Sequence, residues 1–242
     1  MTTSRRTFLA AASVTLGGVA GCLGGGGGSG SASNLGGYES TTTDGQVVPL
    51  APLSDVVEWY NNGDARFADA RSRTAYEESH IEGAVWSPAR HGQRTDDPVE
   101  AWDTDTLIVT YCGCPHHLSS MRAASLIDSG YERVAALDEG FWAWQDGGYP
   151  VTGSSADVEP TLRVVEGRTD PTFAGEWAWA RHDPSGQREV APIADDGSYA
   201  LNVRFADVGP DDPIRITTPA YELSAAAASL AAGVIGADGR LI

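Results

Sequence analysis

The run Leu107-Ile108-Val109-Thr110-Tyr111, followed at once by Cys112-Gly113-Cys114-Pro115-His116-His117-Leu118 and then by Ser119 to Ser129, constrains this chain more than any other feature. Five consecutive β-prone residues without polar alternation mark a strand buried on both faces. Met121, Ala124, Leu126 and Ile127 give Ser119 to Ser129 an amphipathic helical pattern, and Gly130 supplies its stop. A buried strand, a short polar loop and a helix form one half of a parallel strand–helix unit.

The same rhythm runs on both sides. Val47-Val48-Pro49-Leu50 reads as a strand, Leu53 to Tyr60 as a helix, Arg66 to Ala70 as a strand and Thr74 to Ser79 as one or two helical turns. Ala84 to Trp86 is extended, Arg133 to Leu137 is a strand, and Phe141 to Trp144 opens a short helix before Gly147-Gly148. Strands alternating with helices predict an α/β domain, with a parallel sheet flanked by helices, over residues 46–153.

Past Gly153-Ser154-Ser155 the character changes. Thr161 to Val165, Glu176 to Ala180, Tyr199 to Phe205 and Ile214 to Thr218 are short alternating runs, separated by turns such as Asp183-Pro184-Ser185-Gly186. They predict a small all-β sandwich over 158–223, followed by an alanine-rich tail over 224–242 that forms a loose helix. Ala194 to Leu201 resembles the closing motif of transthyretin-like, carboxypeptidase-regulatory-like domains. This part offers no catalytic cluster. Glu176, His182 and Asp183 read as a solvated face, and Trp177 and Trp179 as core or interface packing. The sandwich is expected to act as a spacer or as a docking surface for a protein partner.

At the N-terminus, Arg5-Arg6 precedes an apolar stretch from Phe8 to Gly21, which is too short to span a bilayer. The pair resembles a twin-arginine export signal, and Val19-Ala20-Gly21-Cys22 resembles a lipobox. That resemblance implies a signal peptide over 1–21, lipidation of Cys22, a flexible Gly/Ser tether over 22–45 and anchoring at the extracytoplasmic face of the cell membrane. The formal net charge is −17, and all 16 basic residues are arginine. Such a field repels phosphate backbones and argues against nucleic acid as a partner. Acidic, lysine-free surfaces resemble those of proteins from high-salt environments, where charge is screened.

The chemistry is expected where Cys112 leaves its strand, because open α/β sheets place their sites at the carboxyl ends of strands. A cysteine there meets backbone N–H groups above a helix N-terminus, a setting that lowers a thiol pKa and stabilises an anion, a persulfide included. The Gly- and His-rich surroundings argue against a merely structural cysteine. Cys114, one glycine away, stands close enough for a strained disulfide or a resolving-thiol step. Cys112, Cys114, His116 and His117 also carry donor atoms for a soft metal, but Pro115 and the tight spacing oppose a tetrahedral cage. Neither metal nor cofactor is expected. Each of His116 and His117 is either a cation that favours the Cys112 thiolate or a solvated loop residue.

Phe67-Ala68-Asp69-Ala70-Arg71-Ser72 followed by His80-Ile81-Glu82-Gly83-Ala84, Tyr111-Cys112, Gly130-Tyr131, Trp144 and Gly148-Tyr149-Pro150-Val151 resemble, in order, the hallmarks of the rhodanese family. The resemblance spans residues 47–151. It implies Cys112 as the catalytic nucleophile, which takes a sulfane sulfur from a small donor and passes it to a thiol or similar acceptor. Asp69, Arg71, His80 and Gly83 then have structural roles. The family's active loop reads Cys-x-x-Gly-x-Arg-Ser, whereas this chain has Gly113, Cys114, Pro115, His116, His117, Leu118 and Ser119 after the cysteine. The loop arginine is missing and the loop is longer, which implies a wider cradle and argues against phosphatase chemistry. Two functions follow: a sulfurtransferase, or a scaffold that senses sulfur or redox state, or binds a partner, without turnover.

Overall fold

A computed structural model describes residues 35–89, 96–113 and 115–242; the leader over 1–21, Cys22 and Cys114 lie outside the described residues. Ser40–Thr43 (β1) and Gln46–Ala51 (β2) form a hairpin around Asp44 and Gly45, both at positive φ (49° and 80°). Asp-Gly suits such a turn, whose twist matches that of the strands it joins. The stretch just before residue 46, expected as tether, is therefore a strand, because the turn folds the β-prone Ser-Thr-Thr-Thr back onto β2. Tyr38 secures the entry by donating to Asp55 Oδ2 at 2.9 Å.

The chain continues through Leu53–Asn62 (α1), Arg66–Asp69 (β3), Arg73–Glu78 (α2), His80–Ile81 (β4), Val85–Trp86 (β5), Leu107–Tyr111 (β6), His117–Asp128 (α3), Arg133–Leu137 (β7), Gly140–Asp146 (α4) and Val151–Thr152 (β8). Six strands form one sheet in the order β1-β2-β7-β6-β3-β5, parallel except for the edge pair β1/β2. Helices cover both faces, so inner strands need no polar side. Ile108, Val134 and Ala136 meet Ala123, Ala124, Leu126 and Ile127 of α3 on one face. Val109, Tyr111, Ala135 and Leu137 meet Val56, Phe141 and Trp144 of α1 and α4 on the other.

The second unit is β-rich. It contains Arg163–Arg168 (β9), Trp177–His182 (β10), Gln187–Pro192 (β11), Ser198–Val203 (β12), Pro213–Thr217 (β13), Glu222–Ala226 (β14), Ala227–Ala232 (α5) and Val234–Ile235 (β15). One sheet runs β11-β10-β13-β14 and the other β12-β9-β15, enclosing a single apolar core. Residues 224–242 are not a loose tail. Ala227, Leu230 and Ile235 are wholly buried in that core, since the small alanine face of α5 packs closely over β9. His182 is also buried, bonding through Nδ1 to Ser185 Oγ at 2.7 Å, instead of lying on a solvated face. Among the described residues no helix is long and apolar enough to cross a membrane.

The two units meet along β11. Thr74 donates to the Ser185 carbonyl at 2.6 Å, and Arg188 Nη2 donates to the Ala89 carbonyl at 2.9 Å. Five successive residues of β11, Gln187 to Ala191, are buried although the first three are polar, because this strand lies against α2 and α3.

Candidate active site

Strand β6 sits between β7 and β3, and its C-terminal end releases Cys112 into the loop that opens α3. The loop is tied down on two sides. The Cys112 carbonyl accepts from Phe141 N at 2.8 Å, and the His116 carbonyl accepts from Ser120 N at 2.9 Å. α3 begins at His117, earlier than the Ser119 expected from the apolar pattern. Leu118 and Ser119 are thus helical, so the expected widening of the cradle does not extend to them. The Cys112 sulfur lies 3.5 Å from Ser119 Oγ in the first turn of α3, where backbone N–H groups and the helix dipole favour negative charge. His116 precedes the helix at φ 32°, a conformation sparsely populated by non-glycine residues.

Below the loop, Asp69 and Arg71 form a buried pair. Arg71 Nη2 reaches Asp69 Oδ2 at 2.6 Å and the Ser79 carbonyl at 2.6 Å, and Nε reaches Asp69 Oδ1 at 3.0 Å. Burial opposes the arginine's charge, but the adjacent Asp69 carboxylate overrides this and holds its pKa above the usual value. The guanidinium also lies 4.0 Å from the Phe141 ring centroid, a cation–π contact. One residue pair therefore links the end of β3, the turn before β4 and the start of α4. His80 stacks on Tyr76 with ring centroids 3.8 Å apart, and Gly83 takes φ 84° in the turn that leads to β5.

The surroundings of Cys112 differ from an open cradle. Cys112 is 0% exposed and packs in one apolar cluster with Ala70, Ala89, Leu118, Met121 and Val190, flanked by Trp177 and Trp179. Val190 and both tryptophans belong to the β-rich unit, which covers the site. Gly113 is equally hemmed in: a Cβ placed there would stand 2.8 Å from Glu189 Oε1 and 3.1 Å from Trp142 Nε1.

The histidines divide. His116 Nδ1 lies 2.7 Å from Asp138 Oδ1, at the end of β7. His117 is covered by the β-rich unit, hydrogen-bonds to the backbone of Val190 and has its ring edge-on to Trp177. Burial first, and then the neighbouring His116, lower its pKa to about 4. His117 is therefore neutral near pH 7, neither of the two roles, cation or solvated loop residue, that the sequence left open for it. The cause is the covering unit, which no feature of the loop sequence announces. Among the described residues no group of three or more His, Cys, Asp and Glu side chains is disposed to hold a metal ion.

The site that emerges is a thiol at the carboxyl end of an inner parallel strand, over a helix N-terminus, closed by a second unit of the same chain. Residues 53–147 match the family model described as the rhodanese-like domain. Over 95 residues the chain is 32% identical to the thiosulfate sulfurtransferase GlpE of Pseudoalteromonas translucida, a match covering 38% of this chain and 85% of that protein. The BH2092 protein of Bacillus halodurans is similar in structure at 24% identity and a TM-score of 0.39, covering 45% of this chain and 79% of that one. The rhodanese-like domain of the Alr3790 protein from Anabaena matches at 24% identity and a TM-score of 0.36, covering 44% and 80% of the two chains. The chain belongs to the rhodanese-like family, and its match ends before the β-rich unit begins.

Proposed function

We propose that the protein is a sulfurtransferase that carries sulfane sulfur as a Cys112 persulfide. The observation that carries this reading is the position of Cys112, at the end of β6 and beside the first turn of α3 in a rhodanese-like domain. The Cys112 thiolate attacks the sulfane sulfur of a thiosulfate-type donor. The S–S bond of the donor breaks, sulfite leaves with the electron pair, and a persulfide anion remains on Cys112. An acceptor thiolate then attacks the outer sulfur and restores the Cys112 thiolate, a covalent two-step scheme. The loop N–H groups and the α3 terminus stabilise the anion in both steps. Arg5-Arg6 and Val19 to Cys22 support export and lipid anchoring at the extracytoplasmic face, and the two sheets around one core support reading the second unit as a small β-sandwich.

The test is sulfite release. Full-length protein mixed with thiosulfate in the absence of acceptor should release one sulfite per chain and then stop, and Cys112→Ser should release none. Steady turnover with a thiol acceptor should follow. Complete burial of Cys112 under Val190 favours a second reading, a scaffold that does not turn over. Absence of the sulfite burst in protein whose Cys112 is reduced would select that reading.

A further inference from the structure

Between the two units lies a cavity of about 410 Å³, with walls drawn from both. Its lining includes Gly113, a buried residue directly after Cys112. This volume suits a ligand well above the size of thiosulfate. Among the residues lining it, Arg188 and Ser79 are 8% and 4% exposed, and Arg188 Nε and Ser79 Oγ have no hydrogen-bond partner. Arg163 Nη1 is likewise buried and unpartnered, while its Nη2 is held by the Val208 carbonyl at 2.9 Å. A desolvated guanidinium N–H without an acceptor is costly, and a ligand acceptor would relieve that cost.

The other charges of the cavity include Glu189, which lines it beside Gly113 and lies near both Arg71 and Arg188. Arg71 is committed to Asp69, and Arg204 is paired with Glu159. Arg163 and Arg188 remain the cations whose donors are incompletely met. Glu78 and Asp207, both on the cavity wall, are close enough to repel each other. A ligand that carries one charge of each sign answers both conditions, with its carboxylate on the arginines and its ammonium group on the acids. The chain has no arginine in the loop from Gly113 to His116, and these two come from β9 and β11 of the other unit.

We infer that the cavity between the units is a binding site for a zwitterionic, amino-acid-derived sulfur compound, with Arg163, Arg188 and Ser79 taking its carboxylate and Glu78 and Asp207 its ammonium group. The assignment of the ligand as a sulfur compound rests on the sulfurtransferase reading, because only the nearness of Gly113 to Cys112 ties the site to sulfur. The β-rich unit then has a function: it completes the substrate site that the rhodanese-like unit leaves without an arginine.

Calorimetry on full-length Cys112→Ser tests this without relying on turnover. S-methylcysteine, a zwitterionic probe with one carboxylate, one ammonium group and no free thiol, should bind saturably at one site per chain. Its ethyl ester and its N-acetyl derivative should each bind at least tenfold more weakly to the same protein, so the comparison requires no further substitution. Arg163→Gln should reproduce the loss seen with the ester. Absence of saturable binding, or equal binding of all three probes, overturns the inference. Tight, charge-dependent binding to a protein that shows no sulfite burst with its native Cys112 would uphold the site and overturn the sulfurtransferase reading alone.

Discussion

Cover of Cys112 by the β-rich unit sets how fast the thiol reacts with a small alkylating agent. Val190 is 1% exposed and shares one apolar cluster with Cys112. Val190→Ala removes two methyl groups from that contact. At about 0.8 kcal/mol for each buried methyl-sized group, closure weakens by about 1.5 kcal/mol. The population in which β11 lifts from the loop then rises about tenfold. When closing is faster than labelling, the labelling rate tracks that population. Iodoacetamide modification of Cys112, followed by peptide mass spectrometry under native conditions, should therefore accelerate about tenfold in Val190→Ala. Val165→Ala is the control: Val165 is wholly buried in the core of the β-rich unit and belongs to a different cluster from Cys112. An unchanged rate in Val190→Ala, or an equal acceleration in Val165→Ala, would refute gating by the covering strand.

Asp69→Asn leaves the Arg71 guanidinium buried without its carboxylate, so the urea midpoint should fall by an amount equivalent to about 3–5 kcal/mol; a change below 1 kcal/mol would show that the pair is not what joins β3 to α4. The His117 pKa of about 4 lies below the ordinary value of about 6.5, so the unfolded chain takes up a proton in this window and the native chain does not. Stability should thus fall by up to about 3 kcal/mol as the pH drops from 6.5 to 4, and His117→Gln should flatten this part of the profile in urea titrations at each pH. Cys22→Ser should move the protein from the membrane fraction to the medium with its circular dichroism unchanged; retention in the membrane would exclude the lipid anchor.

The sheet was legible where the sequence carries its own periodicity. Leu107 to Tyr111 is a continuous β-prone run and Val134 to Leu137 a continuous apolar one after Arg133, and strands occupy Leu107–Tyr111 and Arg133–Leu137. The β1–β2 hairpin was missed: Asp44-Gly45 between β-prone runs suits a tight turn, but the glycine-rich stretch before it made residues 22–45 read as a tether. The covering strand was not legible. Gln187-Arg188-Glu189 reads as surface because its burial arises from a contact with α2 and α3, more than fifty residues away in sequence. Three consequences follow from that one contact: Cys112 is enclosed, His117 is neutral, and Arg188 is buried, so that desolvation, then Arg181, lowers its pKa to about 10. Local pattern located the thiol; only the packing of the second unit defines the site around it.

The central claim is that Cys112 holds the transferred sulfur, and intact mass spectrometry followed by peptide mapping tests it most directly. Full-length protein, reduced and then exposed to thiosulfate without acceptor, should gain one sulfur atom on the peptide containing Cys112. That sulfur should disappear when a thiol acceptor is added, and Cys112→Ser should gain none. A reduced wild-type chain that gains no sulfur, or that gains it equally in Cys112→Ser, would contradict the account.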